Sequence, residues 1–421
     1  MKKILAVVLA AVMAVGMLAG CGSSKSSEGK IKGAKIEFAT RQTGDTLERL
    51  RTVVANFEKE SGVKVTLTEY ASEDFESALK TRMASGELPD VWETHGWSRL
   101  RYGEYLAPVN DEAWYANEND LAKGILTGDG DTAYALMLTT SVLGICVNVT
   151  AAEECGVDVY AIETYDDLTE ACQKIVDAGK VPFVTNRSGG DFTHVGGQFT
   201  TYDDALVNDA AAQLGGTYDF ESFRAEIKWF AELMDMGAFW PDVTTASDQD
   251  NTERFAKGES VFYFANGADF CRNASEINHD NTYAVIAFPA IQDGAAKYMA
   301  GGEGYAVGAW KDSKNLAAAK ALLAYLAEHG GEFVEGLSAI STVKSVDTVT
   351  TKLSEEAMAK YSDAVYVNMW DREYMPSGMW GVFGDAVNQF YADWSDENIE
   401  VILQFLKTNY DEKYAAMHSA N

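Results

Sequence analysis

The reactive side chains of this sequence are numerous, yet their spacing activates none of them. Sixty-four Asp and Glu, five His and five Cys are scattered over 421 residues. An acyl-transfer serine would need a G-x-S-x-G elbow and a zinc hydrolase an H-E-x-x-H helix; the sequence has neither. The phosphate-cradling pattern G-x-x-x-x-G-K-[ST] is absent as well. "GGEGYAVG" (301–308) has glycines without dinucleotide spacing, and Glu303 between them would repel a phosphate. "GDGD" (128–131) begins like a calcium loop but lacks the rest of the ligand series, so it reads as a turn. A carboxylate pair for glycoside hydrolysis stays open, because separation in sequence does not give separation in space. Cys146, Cys155, Cys172 and Cys271 show no C-x-x-C spacing, so no metal site is expected. In an exported chain they could pair, although Cys146 and Cys172 fall in apolar-periodic segments as small buried residues do. No cofactor is expected.

What remains is recognition without reaction. Nine tryptophans are present, several in predicted loops beside polar groups, and only His95 of the five histidines stands among them. An aromatic ring stacks on an apolar face, while Asp, Glu, Asn, Arg or His hydrogen-bonds a polar edge. The net charge of -30 repels nucleic acid and anionic lipid, so neither is an expected partner. With 47% hydrophobic residues the chain can bury a large core or two lobes.

The elements that must position these groups alternate. "KIEFAT" (35–40) reads as a strand, followed by a polar loop at 41–45. Leu47, Leu50, Val53, Val54 and Phe57 then share one helical face, Gly62 ends that helix, and residues 63–70 form the next strand. A second helix spans about 74–84, and Val91 and Trp92 start a short strand. Residues 134–149 read as a long apolar extended segment. Leu168, Cys172, Ile175 and Val176 mark an amphipathic helix, as do Phe220, Phe223, Ile227, Phe230 and Leu233. Helices alternating with strands imply an α/β class seeded by parallel strand-helix-strand units.

The N-terminus has its own chemistry. Lys2 and Lys3 precede an apolar run, 4–18, too short to anchor across ~30 Å of hydrocarbon and suited to a signal peptide over 1–20. Leu18-Ala19-Gly20-Cys21 resembles the lipobox of bacterial lipoproteins. That resemblance implies cleavage before Cys21, a diacylglycerol on its sulfur, and a flexible Gly/Ser/Lys linker over 21–33.

Seven stretches in order resemble the extracellular solute-binding proteins of ABC importers, carbohydrate-oriented family 1. They are "FEKESGVKV" with its preceding strand and helix, "SGELPDV" with "YGEYLAPVND", "AYALMLTTSVLGICVNVTAAEECGVD", "ETYDDLTEACQKIVDAGKVPFV", "FAKGESVFYFANG", "YAVIAFPAIQDG" with "GGEGYAV", and "KNLAAAKALLAYL". The resemblance implies a two-lobed, type II periplasmic-binding-protein fold with a hinge. Lobe 1 is expected over 34–145 and 285–327, and lobe 2 over 146–284 and 328–421. Crossings are expected near 141–147, near 283–288 and within 325–334.

By the same resemblance, ligand contacts are expected from Arg41 and Asp45 in the first loop and from Thr94, His95 and Trp97 after the short strand. Ser141 in the crossing segment and Asp191 and His194 in a glycine-rich loop are further candidates, with Glu303 between its glycines. Trp380 in "PSGMW" is similar to a stacking tryptophan of maltose-type members, with Trp370 or Phe383 as alternatives. Where such members carry a tryptophan two residues after the glycine closing the F-x-x-G segment, this chain has Asp269, which implies a more polar or smaller ligand; Trp240 is expected in the core. The expected function is a lipid-anchored, monomeric receptor at the outer face of a bacterial membrane. It would close on a mono- or oligosaccharide and deliver it to separate permease and ATPase subunits. A secreted glycosidase, a receptor for a polyamine or peptide, and a surface adhesin are the alternatives.

Overall fold

Strand β1 (Lys35–Thr40) carries its buried residues where the alternation of KIEFAT puts them, with Phe38 and Ala39 fully enclosed. The computed structural model describes residues 31–118, 120–128, 130–193, 212–290, 294–301, 304–337, 340–342, 349–368 and 370–418. The leader, Cys21, His194 and Glu303 lie outside the described residues.

The first lobe is built on β2-β1-β3-β11-β4. β2 (Lys64–Glu69) and β3 (Val91–Thr94) flank β1 in parallel, with Phe38 opposite Leu67 on one side and Val91 on the other. β4 (Leu136–Met137) and β11 (Ala306–Ala309) complete the sheet antiparallel. Helix α1 (Gly44–Ser61) joins β1 to β2 and buries Leu47, Leu50, Val53, Val54 and Phe57, the stripe expected from its 3.6-residue period. α2 (Ser72–Ser85) joins β2 to β3, and the short α3 (Arg99–Tyr102) follows β3.

The second lobe is built on β13-β10-β6-β8-β7, with β9 also paired to β6. Its strands are β6 (Val142–Asn148), β7 (Val181–Val184), β8 (Ser260–Gly267), β9 (Tyr283–Ile286), β10 (Tyr298–Gly301) and β13 (Val365–Asn368). α4 (Tyr165–Asp177), α5 (Phe223–Met236), α6 (Asp248–Ala256) and α7 (Ala268–Ile277) cover them. The core is aromatic: Phe183 stacks on Phe264 at 4.1 Å between centroids, and Phe383, Phe390 and Tyr410 join from the C-terminal helices.

Among the described residues, three short passages connect the lobes. The extended segment expected over 134–149 divides into β4, β5 (Thr139–Thr140) and β6, because β4 pairs in the first sheet and β6 in the second. β5 pairs antiparallel with β12 (Ile340–Ser341) as a separate ribbon between them. The chain returns between β10, which ends at Gly301 in the second sheet, and β11, which starts at Ala306 in the first. The passage expected near 283–288 is instead inside the second lobe, since β9 runs along β6 with Cys146 opposite Val285. The passage expected within 325–334 is also displaced. α8 (Leu316–His329) and α9 (Gly331–Gly336) both pack on the first lobe, where Phe333 and Val334 are buried with Leu322 and Leu326, and the chain leaves only at 340–342.

The passages are laced together. Leu138 N–H donates to Tyr305 O (2.9 Å), Tyr305 N–H to Thr139 Oγ1 (2.8 Å), and Thr342 N–H to Leu138 O (3.1 Å). A Cβ on Gly304 would meet the Thr139 backbone, and one on Gly301 would meet the Tyr366 hydroxyl, so both positions need glycine for close approach. Tyr366 packs against both cores, and its hydroxyl donates to Ser141 O at 2.7 Å. The remaining helices, α10 (Val349–Lys360), α11 (Trp370–Tyr374), α12 (Met379–Ala392) and α13 (Asp396–His418), belong to the second-lobe side. Among the described residues no helix is long and apolar enough to cross a membrane.

Candidate functional site

In a parallel sheet the loops after neighbouring strands emerge side by side, and ligands collect at those carboxyl ends. β1 and β3 end together, at Thr40 and Thr94, so loop 41–43 lies beside turn 95–98. Glu93, 2% exposed, binds these loops together. Its carboxylate accepts from Thr40 Oγ1 (2.7 Å), Arg41 N–H (3.1 Å), Arg41 Nε (2.9 Å) and Gln42 Nε2 (2.9 Å). A buried carboxylate is tolerated because its lone pairs are filled and a guanidinium neutralises it.

Arg41 reaches onward, and its Nη2 bonds His95 Nε2. His95 Nδ1 lies 2.9 Å from Gly304 O. A carbonyl only accepts and a guanidinium only donates, so the network assigns the proton to Nδ1 and leaves Nε2 as acceptor. Desolvation first, and the Arg41 charge second, hold this imidazole well below the usual histidine range; Gly304 O opposes them, and Arg372 and Arg101 add to the lowering.

Arg372 belongs to the second lobe. α11 packs on the turn Gly96–Ser98, so the two lobes face each other here. The Arg372 guanidinium lies 4.0 Å from the centroid of the Trp380 ring and 3.3 Å from Asp371 Oδ2. Trp380 is half-buried in the first turn of α12, and Gly378 caps that helix at φ 94°. Arg101 pairs with Glu76 at 3.6 Å. Every arginine that acts on His95 therefore has a carboxylate beside it, and the cleft offers many donors and acceptors with little net charge.

Of the residues expected from sequence, Arg41, His95 and Trp380 come to this interlobe space. Thr94 ends β3 next to Ala306, and its buried hydroxyl has no partner among the described residues. Trp97 lies in the turn 96–98, and Trp370 is the first residue of α11, the helix that packs on that turn. Ser141 serves the passage through its carbonyl. Asp269 opens α7, half-buried, on the side of Cys146.

Three candidates lie apart from this space. Asp45 is in the first turn of α1, 79% exposed and paired with Arg49 at 2.7 Å, because the helix starts one residue before it and turns it to solvent. Asp191 is fully buried in the second lobe, where it accepts from Thr185 Oγ1 (2.5 Å) and Tyr391 OH (2.9 Å); burial pushes its carboxyl up to about 6. Phe383 is likewise enclosed in the core and cannot stack on a ligand. Trp240 packs as expected, with its Nε1 donating to Ser260 Oγ and Arg254 over its ring.

Glu93 and Arg372 were missed. The signal for Glu93 was a lone carboxylate inside an apolar four-residue strand. Arg372 gave no local signal, since only the fold brings it to His95. Among the described residues no group of three or more His, Cys, Asp or Glu could hold a metal.

A model of bacterial extracellular solute-binding proteins matches residues 52–365. The melibiose/raffinose/stachyose-binding protein MelE of Bacillus subtilis (strain 168) is 28% identical over 387 residues, covering 90% of this chain and 89% of MelE. Among solved structures, the binding protein MsmE of Bacillus subtilis, in an open conformation, matches with a TM-score of 0.81 at 26% identity over 92% of this chain and 99% of that one. A sugar transporter from Bacillus licheniformis, in complex with stachyose, shares the fold with a TM-score of 0.70 at 24% identity, over 90% and 100% of the two chains. With two sheets joined by laced passages, an interlobe face of paired charges and a family match across most of its length, the chain belongs to the bacterial extracellular solute-binding proteins, which bind solutes rather than transform them.

Proposed function

We propose that this protein is the sugar-capturing receptor of an ABC importer, tethered to the outer face of the membrane through a lipid on Cys21. The observation that carries this reading is the Glu93–Arg41–His95 network on one lobe facing Arg372 and Trp380 on the other. A neutral polyol presents hydroxyls that donate and accept, with C–H faces for an indole. Paired charges suit it better than a polyamine, which needs unpaired carboxylates, or an anion, which needs unpaired arginines. Glu93 accepts four hydrogen bonds, which disfavours it as half of a glycosidase acid pair. MelE and the Bacillus licheniformis protein support the melibiose, raffinose and stachyose series as first candidates.

Capture shifts an equilibrium only when ligand favours one state, so contacts from both lobes make closure the bound state. Lobe limits of 34–141 with 302–342, and 142–301 with 343–421, follow the sheet pairings in this reading. Permease and ATPase subunits are the partners, and the receptor acts as a monomer. The test is calorimetry and tryptophan fluorescence with melibiose, raffinose, stachyose, galactose, maltose, spermidine and a mixed tripeptide pool. Saturable binding of one or more sugars is expected. Binding of spermidine or peptide with every sugar silent overturns the substrate class, and hydrolysis of a bound oligosaccharide overturns the receptor role.

A further inference from the structure

Two sulfur atoms of the second lobe take no part in the cleft network. Cys146 lies within β6 and Cys271 within α7, both 0% exposed. In the β6–β9 register Cys146 stands opposite Val285, and Val147 opposite Ala284. The Cys271 thiol donates to Ala284 O at 3.4 Å, which sets its sulfur over the backbone adjoining the partner of Cys146. α7 packs directly on β6, which brings the Cys271 side chain beside Cys146; burial first, and the neighbouring Cys271 second, hold the Cys146 thiol well above its usual range. Cys155 is half-buried at the end of helix Val149–Glu154, and Cys172 faces the core from α4.

We propose that Cys146 and Cys271 form a disulfide when the chain folds in an oxidising medium, with Cys155 and Cys172 left as thiols. The oxidant is a low-molecular-weight disulfide. One protein thiolate attacks it, forming a mixed disulfide and releasing one small thiol. The second protein thiolate then displaces the other half. One external S–S bond is broken and one protein S–S bond is made. Two electrons pass to the external sulfurs, and the two protein protons end on the released thiols. Both sulfurs are sealed once α7 docks on β6, so exchange precedes docking and the closed bond is thereafter protected.

The test uses the full chain carrying Cys21→Ser, unfolded and refolded in mixed reduced and oxidised glutathione. Free thiols are alkylated in denaturant, and the protein is digested without reduction and analysed by mass spectrometry. A peptide pair joining Cys146 to Cys271, two hydrogen masses below the sum of its parts, is expected, with Cys155 and Cys172 alkylated. A Cys155→Ser/Cys172→Ser variant refolded in dithiothreitol should have a lower Tm than the same variant refolded in the glutathione mixture, and Cys271→Ala should show no such difference. Alkylation of all four cysteines in the refolded protein, or another pairing, overturns the proposal; neither readout needs the Cys155→Ser/Cys172→Ser or Cys271→Ala variant.

Discussion

A carboxylate that accepts four hydrogen bonds is hard to replace with anything neutral. Glu93→Gln keeps the shape but turns one acceptor oxygen into a donor aimed at other donors, which releases Arg41 and with it the acceptor contact of His95. Charge-assisted bonds are worth about 1.5–3 kcal/mol each, so losing one that orders the cleft should weaken sugar binding roughly 10- to 100-fold. Calorimetry on the variant checks this, and an unchanged affinity would show that the network is structural only. A second carboxyl gives a pH prediction. Glu226 on α5 is fully buried and neither oxygen has a partner among the described residues. Burial first, and the Asp191 charge second, raise it well above the usual carboxylate range. The folded state therefore binds the proton more tightly than the unfolded one. Its contribution is fully present below the unfolded value, near ~4.3, and is lost as pH rises toward the folded value. Glu226→Gln should flatten the fall of Tm between pH 5 and 9 and leave it higher than wild type at the alkaline end. A variant whose Tm declines as steeply as wild type would refute this assignment.

Elements differ in how openly the sequence declares them. The α1 stripe of Leu47, Leu50, Val53, Val54 and Phe57 was legible because helical burial repeats locally, and Gly62 at φ 73° closes that helix as expected. Passages between lobes were less legible. Residues 283–288 look like any short apolar strand, and which sheet claims them depends on β6, more than a hundred residues earlier. Asp191 misled for the same reason: a polar residue among glycines suggests a binding loop, whereas Tyr391 from a distant helix satisfies it inside the core. Part of the cleft was readable, since Arg41 and His95 follow strands whose ends must adjoin. Its second-lobe half was not, because α11 meets turn 96–98 only after both lobes form. At this scale Gly304→Ala is the informative change. The added methyl runs into the Thr139 backbone and must push two passages apart. Lower Tm and weaker ligand binding are expected together, and differential scanning calorimetry with and without sugar tests both. A variant with wild-type values on both measurements would contradict the close approach.

The molecule as a whole combines strong acidity with a charge-balanced cleft. Its net charge is -30, while the arginines Arg41, Arg101 and Arg372 are each matched to a carboxylate. The tether also belongs to this scale. In the proposed lipoprotein, Cys21→Ser removes the sulfur that would carry the lipid, so the protein should move from the membrane pellet to the soluble fraction. Detergent phase partitioning measures that, and an unchanged distribution would argue for another anchor.

In the proposed closure, the braid of residues 138–142, 304–305 and 340–342 is the axle. Strands tied at three points can roll about their common line far more easily than they can slide along it. In that closure travel would grow with radius: His95, one hydrogen bond from Gly304, would barely shift, while side chains at the rim would sweep the longest arc. A short guest lodged near the axle gains little from a few degrees of roll. A longer one reaching the rim would feel the full lever, so in the proposed receptor chain length itself would become something the protein can weigh.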